Sequence, residues 1–448
     1  MREERTEVLI VGAGPVGLWT ALLLARAGIE VAVIDREERT AARSYACALH
    51  PRTLGLLQQV NVAQTVLAQS RAVRTIAFYD GENRRAEVNL AGDEGHFPFL
   101  AILPQNQLET TLEEALCAAG VKVYWNHRFD ELSDEQREVI ATIEELGGTG
   151  TGYIVPHWET TVRRRTSVGA QFLVGADGHH SLVRDRLAIG SDSAGERESF
   201  AAYEFECDET SQDEMRVVLD DRSTNVLWPL PGNRFRWTFQ MLKSDAPAEF
   251  PEKERSTMRL AQPQIDERIR AYVQKVAKNR APWFAGEVKR IAWCTEVGFE
   301  PSLARSFGKG RCWLAGDAAH QTGPVGVQSM NLGFAEGKHL AEALVRALRG
   351  SGPNESLAAY DRQQQNECRK LLGLNGGLQP RADADAWVRR RCARILPCLP
   401  ATGGDLTGLA NQLRLDMPWG SAPLRSAAFS PKGQAGESNT SPASGRPT

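Results

Sequence analysis

At 448 residues the chain has room for two or three domains and a sizeable buried core, which excludes a small disulfide-built scaffold. Hydrophobic residues are 42% and charged residues 24%, the composition of an ordinary globular protein rather than a disordered or fibrous one. Its 53 Lys and Arg against 56 Asp and Glu leave a net charge of -3, without the basic excess that a nucleic-acid or anionic-membrane binder needs.

The amino terminus, charged with both signs, does not read as a secretory signal. The long apolar stretch Val8 to Ile34 contains Arg26, Glu30 and several Gly and Pro, so it reads as a strand-helix-strand unit and not as a membrane span. Within it, Val8–Val11 is a buried strand, Gly12-x-Gly14-x-x-Gly17 a turn, Leu18–Ala27 a helix stopped at Gly28, and Glu30–Ile34 a second strand ending in Asp35. Such a unit seeds a doubly wound sheet with right-handed crossovers.

Further along, Leu54–Leu67 and Asn106–Ala119 have helical apolar spacing, and Val121–Trp125 reads as a strand. Thr75–Phe78 and Ala86–Leu90 form a hairpin about Asp80-Gly81. Residues 145 to 153, rich in Gly and Thr, are expected to be a mobile turn, and Phe172–Val174 a short buried strand. From about 200 to 300 alternating aromatic runs such as Phe235-Arg-Trp237-Thr-Phe239 predict an antiparallel sheet with one wet face, interrupted by a charged helix near 252 to 278. A strand at Cys312–Ala315 and helices at 334–348, 355–373 and 384–396 follow, and residues 420–448 are expected to be disordered. The eight cysteines are scattered without a Cys-x-x-Cys, which points to a reducing, cytoplasmic setting and to no structural metal.

Three motifs can carry chemistry. The glycine turn between strand and helix lets backbone approach a pyrophosphate at the positive helix end, and Asp35, 21 residues after Gly14, is placed to accept from an adenosine ribose. That motif alone does not separate FAD from NAD(P). The second is Gly175-Ala-Asp177-Gly178, followed by Ser181 and Arg184 on a helix start; alone it is a turn. The third is Gly316-Asp317-Ala-Ala-His320, continuing through Pro324 and Gly326 to Asn331. Its carboxylate can hold polyol hydroxyls, its glycines can face a flat ring, and a helix starting near Asn331 would aim its positive end there and favour an anionic reduced flavin; the plainer alternative is an Asp cap and a loose loop.

In this order and at about this spacing, the three motifs closely resemble those of the group A flavoprotein monooxygenases, the family of para-hydroxybenzoate hydroxylase and phenol hydroxylase, from residue 6 to about 350. The resemblance implies an α/β fold with a discontinuous Rossmann-like FAD domain at 1–190 and 296–350. An antiparallel substrate domain would be inserted at 191–295 with help from 75–99, with C-terminal helices at 351–419. It implies FAD as bound cofactor, NADPH or NADH as co-substrate, and a flavin hydroperoxide that hydroxylates an aromatic or polyketide-like substrate with dioxygen, in a monomer or homodimer.

By the same resemblance, the residues expected at FAD are Gly12, Gly14, Pro15, Val16, Gly17, Asp35, Arg36, Arg43, Gln105, Asp177, Gly178, Gly316 and Asp317. The flavin loop adds Pro324, Gly326, Val327, Gln328, Ser329, Met330 and Asn331. Asp177 and Gly178 would also meet the pyridine nucleotide. Departures from the family pattern are Tyr45 in place of an arginine, which makes Arg43 the expected phosphate contact, Gly326-Val-Gln-Ser329 in place of Gly-Gly-Gln-Gly, and Glu336-Gly337 in place of Asp-Ala. A halogenase Trp-x-Trp-x-Ile-Pro signature is not found, and the residues after Leu348 are too few for the extra thioredoxin-like domain of some members.

No acid, base, nucleophile or metal ligand is assigned. His179-His180 reads as turn surface and His320 as a structural hydrogen-bonding residue, whereas Tyr203, Trp228 and Trp237 fit either a substrate cavity or the core. The alternatives kept open are an epoxidase, a Baeyer-Villiger oxygenase or a flavin reductase of the same fold, and a non-catalytic FAD-binding protein.

Overall fold

The computed structural model describes residues 4–40, 46–90, 97–135, 137–151, 157–208, 213–242, 263–350, 353–375, 379–400 and 413. Arg43, Tyr45, the start of the charged helical stretch and the expected disordered tail lie outside them.

Four parallel strands with apolar, β-branched sequences form the heart of one sheet. Their spatial order is Cys312–Leu314, His157–Gly175, Glu4–Val11, Val31–Ile34, with Val123–Tyr124 beyond the last. Val8, Leu9, Ile10, Leu173, Val174, Val33 and Leu314 are buried in it. The helix Pro15–Arg26 follows the first strand, and Gln105–Ala118 and Gln328–Leu348 pack against it. Gly333 and Gly337 allow the last of these to approach Val16 and Thr20 closely, because a Cβ on either would sit within 2.6 Å of those side chains.

The second sheet runs Val288–Phe299, Glu198–Cys207, Arg234–Met241, Thr224–Leu230, Glu214–Leu219, Thr75–Asp80, Asn83–Asn89, all antiparallel except the parallel pair Glu214–Leu219 with Thr75–Asp80. One face holds Phe205, Phe235, Trp237 and Phe239 against Ile269, Val273 and Ala277 of the helix Pro263–Arg280. The expected wet face is absent from the three central strands, which are buried on both sides. Alternation is present, but its polar members are paired inside: Arg236 bonds Glu204 and lies over the Trp293 ring, and Arg216 bonds Glu214 at 2.7 Å. Trp237 is fully buried and Tyr203 packs on the same cluster, so of the two readings open for these residues the core one holds.

Three local expectations are corrected. The Gly/Thr-rich run is not a turn up to residue 151: Val139–Thr151 pairs with His157–Gly175 in a long hairpin, where Gly147 and Gly148 stand opposite Thr161 and Thr160, Thr149 opposite Glu159 and Thr151 opposite His157, and the register shifts between Glu145 and Leu146. The single helix expected at 54–67 is two, Pro51–Gln59 and Ala63–Gln69, broken where Asn61 takes a φ of 55°. The helix expected at 334–348 begins at Gln328, earlier than expected, so the end of the flavin loop is its first turn. Trp237→Ala empties the middle of the second sheet's core and is expected to lower stability by about 3 to 5 kcal/mol in urea unfolding.

Candidate functional site

All four parallel strands end on one edge, and each hands the chain directly to a turn. Val11 leads to Gly12, Ile34 to Asp35, Gly175 to Ala176 and Asp177, Leu314 to Ala315 and Gly316. These turns wall a cavity of about 500 Å³, at the carboxyl edge where doubly wound sheets bind ligands. Asp35 and Asp317 leave strands three places apart, about 14 Å at the usual spacing, the scale of an extended dinucleotide.

At the glycine turn Gly12 has a φ of 109°, and a Cβ there would lie 2.2 Å from the Ala176 carbonyl; one on Gly17 would lie 1.9 Å from the Gly12 carbonyl. A Cβ on Gly14, by contrast, would meet nothing within 4 Å. Two glycines are therefore consumed by backbone contact and the third opens on the cavity. The helix it starts has no side-chain cap and no acidic residue in its first turn, leaving free N–H groups and a positive end toward that space. Asp35 Oδ2 accepts from Ala13 N at 2.6 Å and Oδ1 from Glu37 N at 2.8 Å, which fixes the carboxylate at the cavity wall.

Asp177 turns inward. Its oxygens accept from Ser181 Oγ at 2.6 Å and from Leu182 N and Val183 N at 2.8 and 3.2 Å, capping the short helix Leu182–Arg186. Burial pushes its carboxyl above the usual carboxylate range, and those same bonds pull against the shift. Arg184 then ties this turn to the next, donating to the carbonyls of His179 at 3.2 Å and Ala318 at 3.0 Å. On the far side Gly316 N donates to Glu336 Oε2 at 3.0 Å, which fixes the turn that presents Asp317 to the cavity.

Beyond Asp317 the wall is Gln321 to Pro324, Val327, Ser329 and Met330. Asn331 holds this segment from behind: its Oδ1 accepts from His50 N and Thr53 Oγ1, both at 2.8 Å, and its Nδ2 donates to the carbonyls of Ala48 and Val327. His50 Nε2 lies 2.9 Å from the Gly326 carbonyl. Gln328 Nε2 donates to the carbonyls of Leu396 and Leu399, both at 3.0 Å, and a Cβ on Gly326 would lie 1.9 Å from the Pro397 carbonyl. The C-terminal turn Leu396–Cys398 thus clamps the loop from outside.

Of the residues expected at FAD, Gly12, Gly14, Pro15, Val16, Asp35, Arg36, Gln105, Asp177, Gly178, Asp317, Pro324, Val327, Ser329 and Met330 line this one cavity. Gly17, Gly316, Gly326, Gln328 and Asn331 do not; they hold the wall from behind, and Arg43 is outside the described residues. Sequence reading missed Glu37, Arg39, Thr40, Glu109, Trp125, His127, Arg128 and Phe129 on the Asp35 side, and Val297 and Phe299 from the edge of the second sheet. Of the first group, Glu37, Arg39 and Thr40 follow Asp35 in the chain and Glu109 lies one turn beyond Gln105, whereas Trp125, His127, Arg128 and Phe129 are brought in by the short strand Val123–Tyr124 beside Val31–Ile34. His179 and His180, read as turn surface, are exposed but stand at the cavity, with ring centroids 4.0 Å apart.

An open glycine at an uncapped helix end, a fixed carboxylate one strand away and a second carboxylate across the edge suit the diphosphate, ribose and ribityl parts of FAD. Comparison with known proteins agrees. Residues 5–373 match the family described as FAD binding domain, and the chain belongs to that family and binds FAD. It is 29% identical over 356 residues to 6-methylpretetramide 4-monooxygenase of Streptomyces rimosus, covering 79% of this chain and spanning only 58% of that relative's length. It is 26% identical over 361 residues to para-nitrophenol 4-monooxygenase of a Pseudomonas strain, covering 79% of this chain and 81% of the relative. The crystal structure of p-nitrophenol 4-monooxygenase from Pseudomonas putida DLL-E4 superposes with a TM-score of 0.71 over 92% of this chain and 98% of that one, at 22% identity, and so shares the fold.

Two tests follow from this geometry. Gly14→Val fills space that only the cofactor uses, so FAD affinity, read by fluorescence titration, falls roughly tenfold or more while the unfolding midpoint of the FAD-free chain hardly moves. Burial pushes the His50 imidazole down to about 4, against its bond to the Gly326 carbonyl. The neutral ring is the folded form, so its contribution is complete above the unfolded value near 6.5 and is lost as pH falls toward 4. Urea unfolding from pH 7 to 4 should show roughly 3 kcal/mol of lost stability that His50→Gln removes.

Proposed function

We propose that the protein is an FAD-dependent monooxygenase that uses NADPH or NADH and dioxygen to hydroxylate an aromatic or polyketide-type substrate. The observation that carries this reading is the single cavity that joins the glycine turn and Asp35 to the Asp317–Met330 wall and to Val297 and Phe299 of the second sheet. A cofactor laid from Asp35 to Asp317 has its ring system at the second sheet, where an apolar substrate would meet it. The names of the two curated relatives, a para-nitrophenol and a 6-methylpretetramide monooxygenase, support the substrate class.

Bound FAD, reduced by a pyridine nucleotide, supplies the activation of dioxygen, with one oxygen atom going to the product and the other to water. The chain supplies binding, orientation and exclusion of water. Gly14 and the first turn of its helix receive the diphosphate, Asp35 the adenosine ribose and Asp317 the ribityl hydroxyls. Val327, Ser329 and Met330 back the ring, while Val297 and Phe299 shield it. The two sheets support reading 1–190 and 296–350 as the cofactor-binding part and 191–295, with 75–99, as the substrate part. All eight cysteines are free thiols, which favours a reducing, cytoplasmic setting for a monomer or homodimer.

The test is to load the purified chain with FAD, add NADPH or NADH in air with a panel of phenols, and follow nucleotide oxidation and product mass with isotopically labelled dioxygen. A matching phenol is expected to speed nucleotide oxidation by roughly tenfold or more and to leave one labelled oxygen in the product. Bound FAD that neither nucleotide reduces with any phenol overturns the reading.

A further inference from the structure

Behind the ring end of the cavity lies a buried polar line that the binding of FAD does not use. Ser329, half-buried in the first turn of the helix Gln328–Leu348, lines the cavity. Its Oγ is 3.4 Å from Nδ1 of His320. The other ring nitrogen of His320, Nε2, is 2.8 Å from Oε1 of Glu336, and both side chains are wholly buried. The nitrogen is not aligned as a linear hydrogen bond to that oxygen, so the attraction is between charges more than along an N–H axis. Glu336 also accepts from Gly316 N at 3.0 Å and from Cys368 Sγ at 3.7 Å, so its carboxylate is held on two other sides.

We propose that Ser329, His320 and Glu336 form a proton relay that opens on the flavin-ring end of the cavity, with the Ser329 hydroxyl as its mouth and Glu336 as its fixed counter-charge. The proposal rests on the reading that FAD occupies this cavity with its ring at Ser329. The relay has two states. With His320 as imidazolium, Nδ1–H donates to Ser329 Oγ, and the serine O–H is released toward the cavity. With His320 neutral and its proton on Nε2, Nδ1 accepts from Ser329, and the O–H is turned away. Passage from the first state to the second delivers one proton to a basic nitrogen or oxygen in the cavity. The serine O–H bond breaks as the bond to that acceptor forms, and the histidine Nδ1–H bond breaks as a new serine O–H forms.

The surroundings strengthen the hold of His320 on its proton. Burial alone would push the imidazole down, but the Glu336 carboxylate overrides it and Asp317 adds to the effect, so the net direction is up. The other groups near His320 do not compete for the proton. Cys368 and Tyr360, on the helix Pro353–Leu371, are held well above their ordinary values by burial and by Glu336 and stay neutral. Arg184 reaches this turn only through the Ala318 carbonyl, and Phe307 stacks on the histidine ring at 6.3 Å between centroids. His320, Glu336 and Cys368 are also a set that could ligate a metal ion. The 2.8 Å between nitrogen and oxygen speaks against it, because two such atoms bound to one zinc at tetrahedral angles stand about 3.3 Å apart.

The test uses the FAD-loaded protein with nitrogen-15 histidine, followed by NMR and by the visible bands of the bound flavin across a pH series. His320 is expected to remain an imidazolium above the ordinary histidine range, and the flavin bands to shift with the same midpoint. Ser329→Ala should leave the His320 midpoint in place and cut the amplitude of the flavin shift roughly tenfold, and Glu336→Gln should weaken proton binding by His320 by roughly tenfold or more. A flavin shift unaltered in Ser329→Ala, a His320 that is neutral throughout, or one equivalent of firmly held zinc with His320 no longer titrating would each overturn the relay. If the chain takes up no FAD the proposed function falls. The relay is then read in the FAD-free chain, where it stands if Glu336→Gln weakens proton binding by His320 and falls if it does not.

Discussion

Backbone touches backbone at Gly12, Gly17 and Ala176, and the rest of the site is arranged around that contact. No side chain can stand between the first strand's turn and the turn after His157–Gly175, because a Cβ on Gly12 would fall within 2.2 Å of the Ala176 carbonyl. The close approach brings the ends of neighbouring parallel strands to one level. It also sets the helix Pro15–Arg26 at an angle that leaves Gly14 as the open member of the triplet. Val16, carried on that helix, then fills the space against Gly316 and Gly333, so the third motif is positioned by the first.

The acidic residues around this edge do different work, although a sequence reading treats them alike. Asp35 is pinned by two backbone N–H groups yet keeps a place on the cavity wall. Asp177 accepts from Ser181, Leu182 and Val183, so its oxygens are largely given to building the turn. Glu336, out of reach of the cavity, fixes Gly316 and faces His320, and through them acts on Asp317 and Ser329. Carboxylates that shape a wall and carboxylates that face a ligand are told apart here only by where their hydrogen bonds go.

What could be read in the sequence was local and periodic. The strand, glycine turn, helix and strand from Glu4 to Ile34 follow from apolar runs and punctuation, and the hairpin about Gly81 from a turn dipeptide. Less visible was whatever depended on a partner distant in the chain. The alternation of Phe235 to Phe239 suggested a wet face because nothing local says that Arg236 meets Glu204 inside. The Gly/Thr run at 145–151 reads as a turn because its ladder partners lie across the hairpin. Trp125, His127 and Arg128 reach the cavity by sheet order alone. Ser329 and Glu336 stood out as departures from a family pattern, but nothing in the sequence showed that His320 lies between them.

The clamp on the flavin loop sets an order of assembly during synthesis. Gly326 and Gln328 are held by the carbonyls of Leu396, Pro397 and Leu399, residues translated long after the glycine turn at the start of the chain. At about 5 to 20 residues per second, the ribosome makes Gly12 roughly twenty seconds to over a minute before it makes the clamp. A nascent chain can therefore complete the nucleotide half of its pocket while the other half still lacks its outer wall. Emergence of Leu396 to Leu399, rather than completion of the glycine turn, is the event that closes the site.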